Sequence, residues 1–114
     1  MSELLGTFEQ VVLLAVIHSG EEAYGRAVLR EVDEAVPGNV SAGAVYTTLD
    51  RLEAKGMLAS RLSDGTAERG GRRRRFYRVT GTGKAALREA RTTLESLWKG
   101  CAWTLMLDEE GMYA

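Results

Sequence analysis

The sequence predicts a mainly α-helical chain with one small β-hairpin, and three observations lead to this fold class. Apolar residues recur at helical spacing in four segments of the 114-residue chain. Two short stretches flank a glycine-rich segment with turn residues at both ends, which is the pattern of a hairpin. Glycine, or a Pro-Gly pair, marks the breaks between the helical segments.

The first two helices are predicted over residues 7–18 and 23–36, with Thr7 as the N-cap of the first. Apolar side chains surround most of the circumference of the first helix, which indicates burial on more than one side. In a chain this short, we expect a second subunit to form the other covered side. The Pro37-Gly38 pair ends the second helix.

A third helix is predicted from the cap residue Ser41 to about residue 55, with Gly56 in the position after the helix that favours glycine. Its inward stripe consists of Val45, Leu49 and Leu52. The opposite face is small at its N-terminal end, and the free N–H groups there favour a phosphate. We therefore consider this helix the candidate DNA reader.

The hairpin strands are predicted over residues 57–63 and 73–79, and the loop between them is expected to project. Thr80 is expected to cap a last helix over residues 83–106. Apolar residues of this helix are spaced three and four apart, as in a coiled-coil seam. They are Leu87, Ala90, Leu94, Leu97 and Cys101.

Charge is unevenly distributed, although the net charge is only −1. Residues 1–54 carry a net charge of −6, residues 55–91 carry +8, and residues 92–114 carry −3. Arginines concentrated in residues 69–75 would repel one another in a free hairpin, and a phosphate backbone relieves that cost. A local basic segment of this kind indicates a polyanionic partner.

The order of two helices, a break, a capped helix and a basic hairpin is that of a winged helix-turn-helix. We predict a DNA-binding domain over residues 1–80, and a C-terminal dimerisation helix with its tail over residues 81–114. The expected DNA-contacting residues are Ser41, Ala42, Gly43, Tyr46, Thr47, Arg51, Arg69, Arg72, Arg73 and Arg74. The expected dimer interface consists of Phe8, Val12, Leu87, Leu94, Leu97, Trp98, Cys101 and Leu105.

Enzymatic and membrane functions find no support in the sequence. Residues 81–84 resemble part of a phosphate-binding loop, but Ala85 stands where a Ser or Thr is needed. One histidine, His18, and one cysteine, Cys101, cannot form a metal cluster or an internal disulfide. With no long apolar run and no basic N-terminal segment, we expect a cytoplasmic protein that is not an enzyme and has no cofactor.

Several motifs together resemble the PadR family of transcriptional regulators. They lie at residues 5–9 with 12–16, at 23–25, at 40–56, at 68–77 and at 80–83, so the resemblance covers about residues 4–90. It implies a homodimer built from the first and last helices, and repression of transcription. A twofold dimer of this kind is expected to bind a pseudo-palindromic DNA site.

The resemblance also implies a small aromatic or drug-like effector in some family members, beside a tryptophan of the C-terminal helix. Trp98 holds that position here, and Phe8 is the second residue expected at such a site. The alternative role of Trp98 is packing within the dimer seam. Two alternative functions stay open: a winged helix that contacts only proteins, and a DNA-binding regulator without a ligand.

Overall fold

The computed structural model describes residues 3–63 and 73–109 of the chain, without the side chains of residues 102, 103 and 105–109. Within these residues the fold is mainly α-helical with one antiparallel hairpin, which confirms the predicted fold class. The elements are α1 (Thr7–Ser19), a 3₁₀ turn (Gly20–Glu22), α2 (Gly25–Ala35), α3 (Ala42–Ala54), β1 (Leu58–Leu62), β2 (Arg75–Val79) and α4 (Gly81–Glu109).

The start of α1 differs from the prediction, because Thr7 is its first residue and Gly6 is its N-cap. The Gly6 backbone N–H donates to Glu9 Oε1 at 3.2 Å, so a carboxylate of the first helical turn accepts from the N–H of the N-cap residue. Lys55 Nζ donates to Glu9 Oε2 at 2.8 Å. This bond to Lys55 holds the pKa of Glu9 below its usual range, although partial burial of the carboxylate acts in the opposite direction.

One face of α1 belongs to the core of the chain itself and the other faces outward. Val12 is 0% exposed, whereas Leu14 and Ile17 on the outward face are 47% and 48% exposed. Val12 therefore cannot present its side chain to a second subunit, which corrects its predicted place in the dimer interface. The apolar circumference read from the sequence combines these two faces, and only the structure separates them.

Helix α3 follows the prediction. Ser41 is its N-cap, and the Ser41 side-chain oxygen accepts from the Ala44 backbone N–H at 3.1 Å. The predicted inward stripe is fully buried where α1, α2 and α3 meet the hairpin. The largest fully buried side chains of this core are Leu13, Leu49, Leu52, Val12, Val16, Val28, Val32 and Val45.

The hairpin and α4 are joined at Thr80. Its Oγ1 accepts from the Gly83 N–H at 3.1 Å and donates to the Gly56 carbonyl at 2.6 Å, which confirms the predicted cap. The last helix, α4, begins at Gly81, two residues earlier than predicted. Gly83 packs against the Met57 carbonyl so closely that a Cβ has no room there. No helix among the described residues is long and apolar enough to cross a membrane.

Candidate nucleic-acid interface

The exposed face of α3 carries every reader-helix residue that the sequence predicted. These residues are Ser41, Ala42, Gly43, Tyr46, Thr47 and Arg51, and each of them is exposed. The Ser41 side-chain oxygen accepts from the Ala44 N–H. The N–H groups of Ala42 and Gly43 at the exposed end of the helix are therefore left for another acceptor. Such an end favours an anion, because its N–H groups and the helix dipole point toward it.

Tyr46 links this face to α2. A Cβ built on Gly25 would come within 2.5 Å of Tyr46 Cε1, so the tyrosine ring lies directly against the first residue of α2. The ring is still 38% exposed, and its packing against Gly25 restricts its orientation. Glycine at this position therefore allows the close approach of the two helices of the helix-turn-helix unit.

A chain of hydrogen bonds joins α3 to both strands of the hairpin. Ser60 Oγ on β1 donates to Glu53 Oε2 on α3 at 2.6 Å. Arg75 Nη1 on β2 donates in turn to Ser60 Oγ at 2.8 Å. Burial raises the pKa of the neighbouring Tyr77 hydroxyl, and Asp50 on α3 acts in the same direction. The two hydrogen bonds therefore attach both strands of the hairpin to α3.

The hairpin of β1 and β2 is the wing of the winged helix-turn-helix. Its described arginines lie on different sides of the hairpin, as strand alternation requires. Arg75 takes part in the hydrogen-bond chain to α3. Arg74 places its guanidinium carbon 4.1 Å from the ring centroid of Tyr24, and Arg73 is exposed. The predicted contacts Arg69 and Arg72, together with the predicted projecting loop, lie outside the described residues.

Sequence reasoning missed an aromatic pair at the junction of α2 and the hairpin. The rings of Tyr24 and Phe76 meet edge to face with centroids 5.8 Å apart. The Tyr77 N–H donates to the Ala23 carbonyl at 2.9 Å, which attaches β2 to the start of α2. Arg61 lies over the Phe76 ring at 4.9 Å. The sequence shows these aromatic and basic residues, but their meeting depends on how the hairpin docks on α2.

A second candidate surface lies between α1 and α4. A groove of about 640 Å³ there is lined by apolar side chains with arginines beside them. The exposed apolar residues of the groove are Leu14, Ile17, Leu94 and Trp98, and Leu97, which precedes Trp98 on α4 but does not line the groove, is 65% exposed. Sequence reasoning missed Leu14 and Ile17, although helical periodicity places them on one face of α1.

The remaining predicted interface residues have different surroundings. Phe8 and Leu87 are half-buried against the core of the chain, whereas Cys101 is exposed on α4. The side chain of Leu105 lies outside the described residues. Phe8 and Trp98, the two predicted effector residues, differ in exposure, because Trp98 is 54% exposed and lines the groove. In the described part of the chain, no group of three His, Cys, Asp or Glu residues could hold a metal ion.

The family of the chain follows from a direct comparison of its sequence with family models. The model of the transcriptional regulator PadR-like family matches residues 13–89, which include α2, α3 and the hairpin. The chain belongs to the PadR-like family. Members of this family are DNA-binding transcriptional regulators and not enzymes, which confirms both the predicted family and the prediction that the chain is not an enzyme.

A curated relative agrees with this membership in the PadR-like family. The chain is 52% identical over 60 residues to the transcriptional regulator Rv3488 of Mycobacterium tuberculosis, a match that covers 51% of this chain. It also covers 50% of the relative, so the chain spans about half the length of the curated relative that it matches.

The structural similarity extends over most of the chain. A PadR family transcriptional regulator from Eggerthella lenta is 31% identical with a TM-score of 0.67, covering 88% of this chain and 82% of that one. A PadR family regulator from Clostridium difficile has a TM-score of 0.68 at 22% identity, covering 86% of this chain and 98% of that one. The second similarity concerns the fold alone.

Proposed function

We propose that this PadR-like protein is a homodimeric repressor that binds a pseudo-palindromic operator through α3 and the wing. The observation that carries the proposal is the exposed, capped face of α3, which the chain from Glu53 through Ser60 to Arg75 fixes relative to the basic hairpin. A reader helix and a wing in fixed relation can enter the major groove and the adjacent minor groove together.

The roles within this interface follow from the chemistry of each side chain. Tyr46 and Thr47 donate hydrogen bonds to phosphates or base edges, and Arg51 is long enough to reach either. Arg73 and Arg74 on the wing, with Arg69 and Arg72, supply charge that binds the DNA backbone whatever its sequence. Sequence preference is therefore assigned to α3, and most of the salt-dependent affinity to the wing.

Dimerisation is proposed from the exposed apolar side chains of α1 and α4. Leu97 and Trp98 are more than half exposed in one chain, and Leu14 and Ile17 are nearly so. A second copy seated on this surface removes these side chains from water, which favours association. In this assignment residues 1–80 bind DNA, and residues 81–114 hold the two copies together with the help of the outward face of α1. The two reader helices then lie about 34 Å apart, one DNA turn.

The effector is proposed from the same groove. Trp98 offers a flat ring beside Arg88 and Arg91, which suits an aromatic molecule of the drug-like class. Binding there changes the packing of the two α4 helices and with it the spacing of the reader helices, which relieves repression. Quenching of tryptophan fluorescence by a broad panel of aromatic compounds tests this step, and a flat titration with every compound contradicts it.

The test of DNA binding is fluorescence anisotropy on a duplex taken from upstream of the chain's own gene, with an unrelated duplex beside it. We expect the double variant Thr47→Ala/Arg51→Ala to lose its preference for the upstream duplex. Lys99→Gln is the control, because this exposed α4 residue lies away from the α3 face. Equal preference in the variant and the wild type contradicts the role of α3. A wild type that binds neither duplex favours a winged helix that contacts only proteins.

A further inference from the structure

Two guanidinium groups from different elements meet at one tyrosine ring at the start of α2. Arg74, which precedes β2, places its guanidinium carbon 4.1 Å from the centroid of the Tyr24 ring. Arg30, on the second turn of α2, donates from Nη2 to the Tyr24 hydroxyl oxygen at 3.5 Å. Tyr24 therefore holds one arginine over its face and the other at its hydroxyl.

In the described part of the chain, neither arginine forms an ion pair with a carboxylate. Among the described residues, no acidic oxygen lies within 4.0 Å of the Arg30 or Arg74 guanidinium. Glu34, four residues after Arg30, is close enough to favour its charge without forming an ion pair. The hydrogen bond from Arg30 and then the charge of Arg74 lower the pKa of Tyr24, although desolvation and the charge of Glu22 act in the opposite direction. Positive charge thus accumulates at this junction, and the nearby described carboxylates Glu22 and Glu34 form no ion pair with either arginine.

The position of this cluster relative to α3 indicates its ligand. Tyr24 immediately precedes Gly25, against which the Tyr46 ring of the reader face is packed. The cluster therefore lies beside the reader face, at the helix that crosses the DNA backbone when a helix-turn-helix docks. Arg30 is exposed and Arg74 half-buried, so both can reach a ligand from solvent. Guanidinium groups bind phosphate oxygens with two parallel hydrogen bonds.

We propose that Arg30 and Arg74 form a clamp for the DNA phosphate backbone and that Tyr24 is the positioning residue that holds them together. The clamp adds α2 to the interface, next to α3 and the wing. The proposal rests on the proposed DNA binding. It concerns the affinity for DNA and not the preference for one sequence. A phosphate contact carries no sequence information, so the clamp strengthens binding to every duplex by the same factor.

The experiment measures the dependence of the binding constant on salt for Arg30→Gln, with Lys99→Gln as the charge-matched control. We expect Arg30→Gln to reduce the slope of log K against log salt by about 1.8, because the dimer loses one phosphate contact in each of its two subunits and each contact contributes about 0.9. Affinity for the upstream and the unrelated duplex should fall by the same factor. A slope equal to that of the Lys99→Gln control overturns the clamp.

Two substitutions of Tyr24 test its positioning role. Tyr24→Phe removes the acceptor of Arg30 and keeps the ring under Arg74, whereas Tyr24→Leu removes both contacts. We expect the slope to fall further in Tyr24→Leu than in Tyr24→Phe, with Arg30→Gln adding little to Tyr24→Leu. Because Arg30→Gln alters an exposed side chain, it decides the question even where Tyr24→Leu fails to fold.

The controls separate the two proposals. If the wild type shows a steep slope and Arg30→Gln leaves it unchanged, only the clamp is wrong. If the wild type itself shows no salt-dependent affinity for any duplex, the proposed DNA binding fails and the clamp fails with it.

Discussion

The Tyr46 ring lies against Gly25, at a distance that would bring a Cβ on Gly25 within 2.5 Å of Tyr46 Cε1. This contact connects the first residue of α2 to the exposed face of α3. It explains why glycine is needed at the start of a helix, where its low helix propensity is otherwise a disadvantage. The geometry of the reader face therefore depends on a residue outside the reader helix.

The substitution Gly25→Ala tests this contact. We expect it to displace the Tyr46 ring and to lower the free energy of unfolding by about 1 kcal/mol, because the added methyl overpacks the site. In a Tyr46→Ala background the same substitution should cost nothing, so a double-mutant cycle in urea measures the contact.

Gly43→Ala is the control for this cycle, because nothing lies within 4 Å of a Cβ at that position. It should leave the free energy of unfolding unchanged or raise it. An equal cost of Gly25→Ala with and without the Tyr46 ring contradicts the contact.

Thr80 is predicted to stabilise the junction of the hairpin with α4. Thr80→Val removes the acceptor for the Gly83 N–H and the donor to the Gly56 carbonyl while keeping the shape of the side chain. We expect a loss of about 1–2 kcal/mol in the free energy of unfolding, measured by urea denaturation. Thr80→Ser keeps the hydroxyl and should lose much less; equal losses in the two variants argue against the cap.

The bond between Glu9 and Lys55 predicts a specific pH dependence. Because the pKa of Glu9 is lowered in the folded chain, its ionised form stabilises the fold above the unfolded pKa of about 4.3. That stabilisation is lost as the pH falls through the lowered folded pKa. The difference in unfolding free energy between the wild type and Glu9→Gln should therefore be full at pH 7 and shrink below pH of about 4. A difference that stays constant down to pH of about 2.5 contradicts the bond.

Leu97 is predicted to lie in the dimer interface. Leu97→Glu places a charge on an α4 side chain that is 65% exposed and should weaken dimerisation at least about tenfold, given about 1.5–3 kcal/mol for burying a leucine. Leu62→Glu is the matched control, since Leu62 is 49% exposed on β1, away from the groove. Sedimentation equilibrium measures both, and identical dissociation constants exclude Leu97 from the interface.

Local features of the fold were predictable from the sequence, because each depends on residues close together in the chain. The cap at Ser41, the stripe of Val45, Leu49 and Leu52, and the cap at Thr80 all follow from short-range chemistry. The exposed reader face followed as well, since helical periodicity fixes which residues lie opposite a buried stripe.

Features that depend on docking could not be predicted. Val12 and Leu14 are both apolar residues of α1, and only the packing of α1 on α2 and α3 decides which of them faces the core. The meeting of Tyr24 with Arg74 depends likewise on the position of the hairpin against α2. Long-range arrangement is therefore the part that the sequence left open.

The dependence of DNA affinity on salt tests the central claim most directly. Anisotropy titrations of the wild type at several salt concentrations should give a steep linear fall of log K against log salt. The variant Arg73→Gln/Arg74→Gln should reduce that slope by up to about 3.6, because the dimer loses two phosphate contacts in each of its two subunits. The same slope in variant and wild type removes the wing from the interface, and a wild type without salt-dependent affinity contradicts DNA binding by this chain.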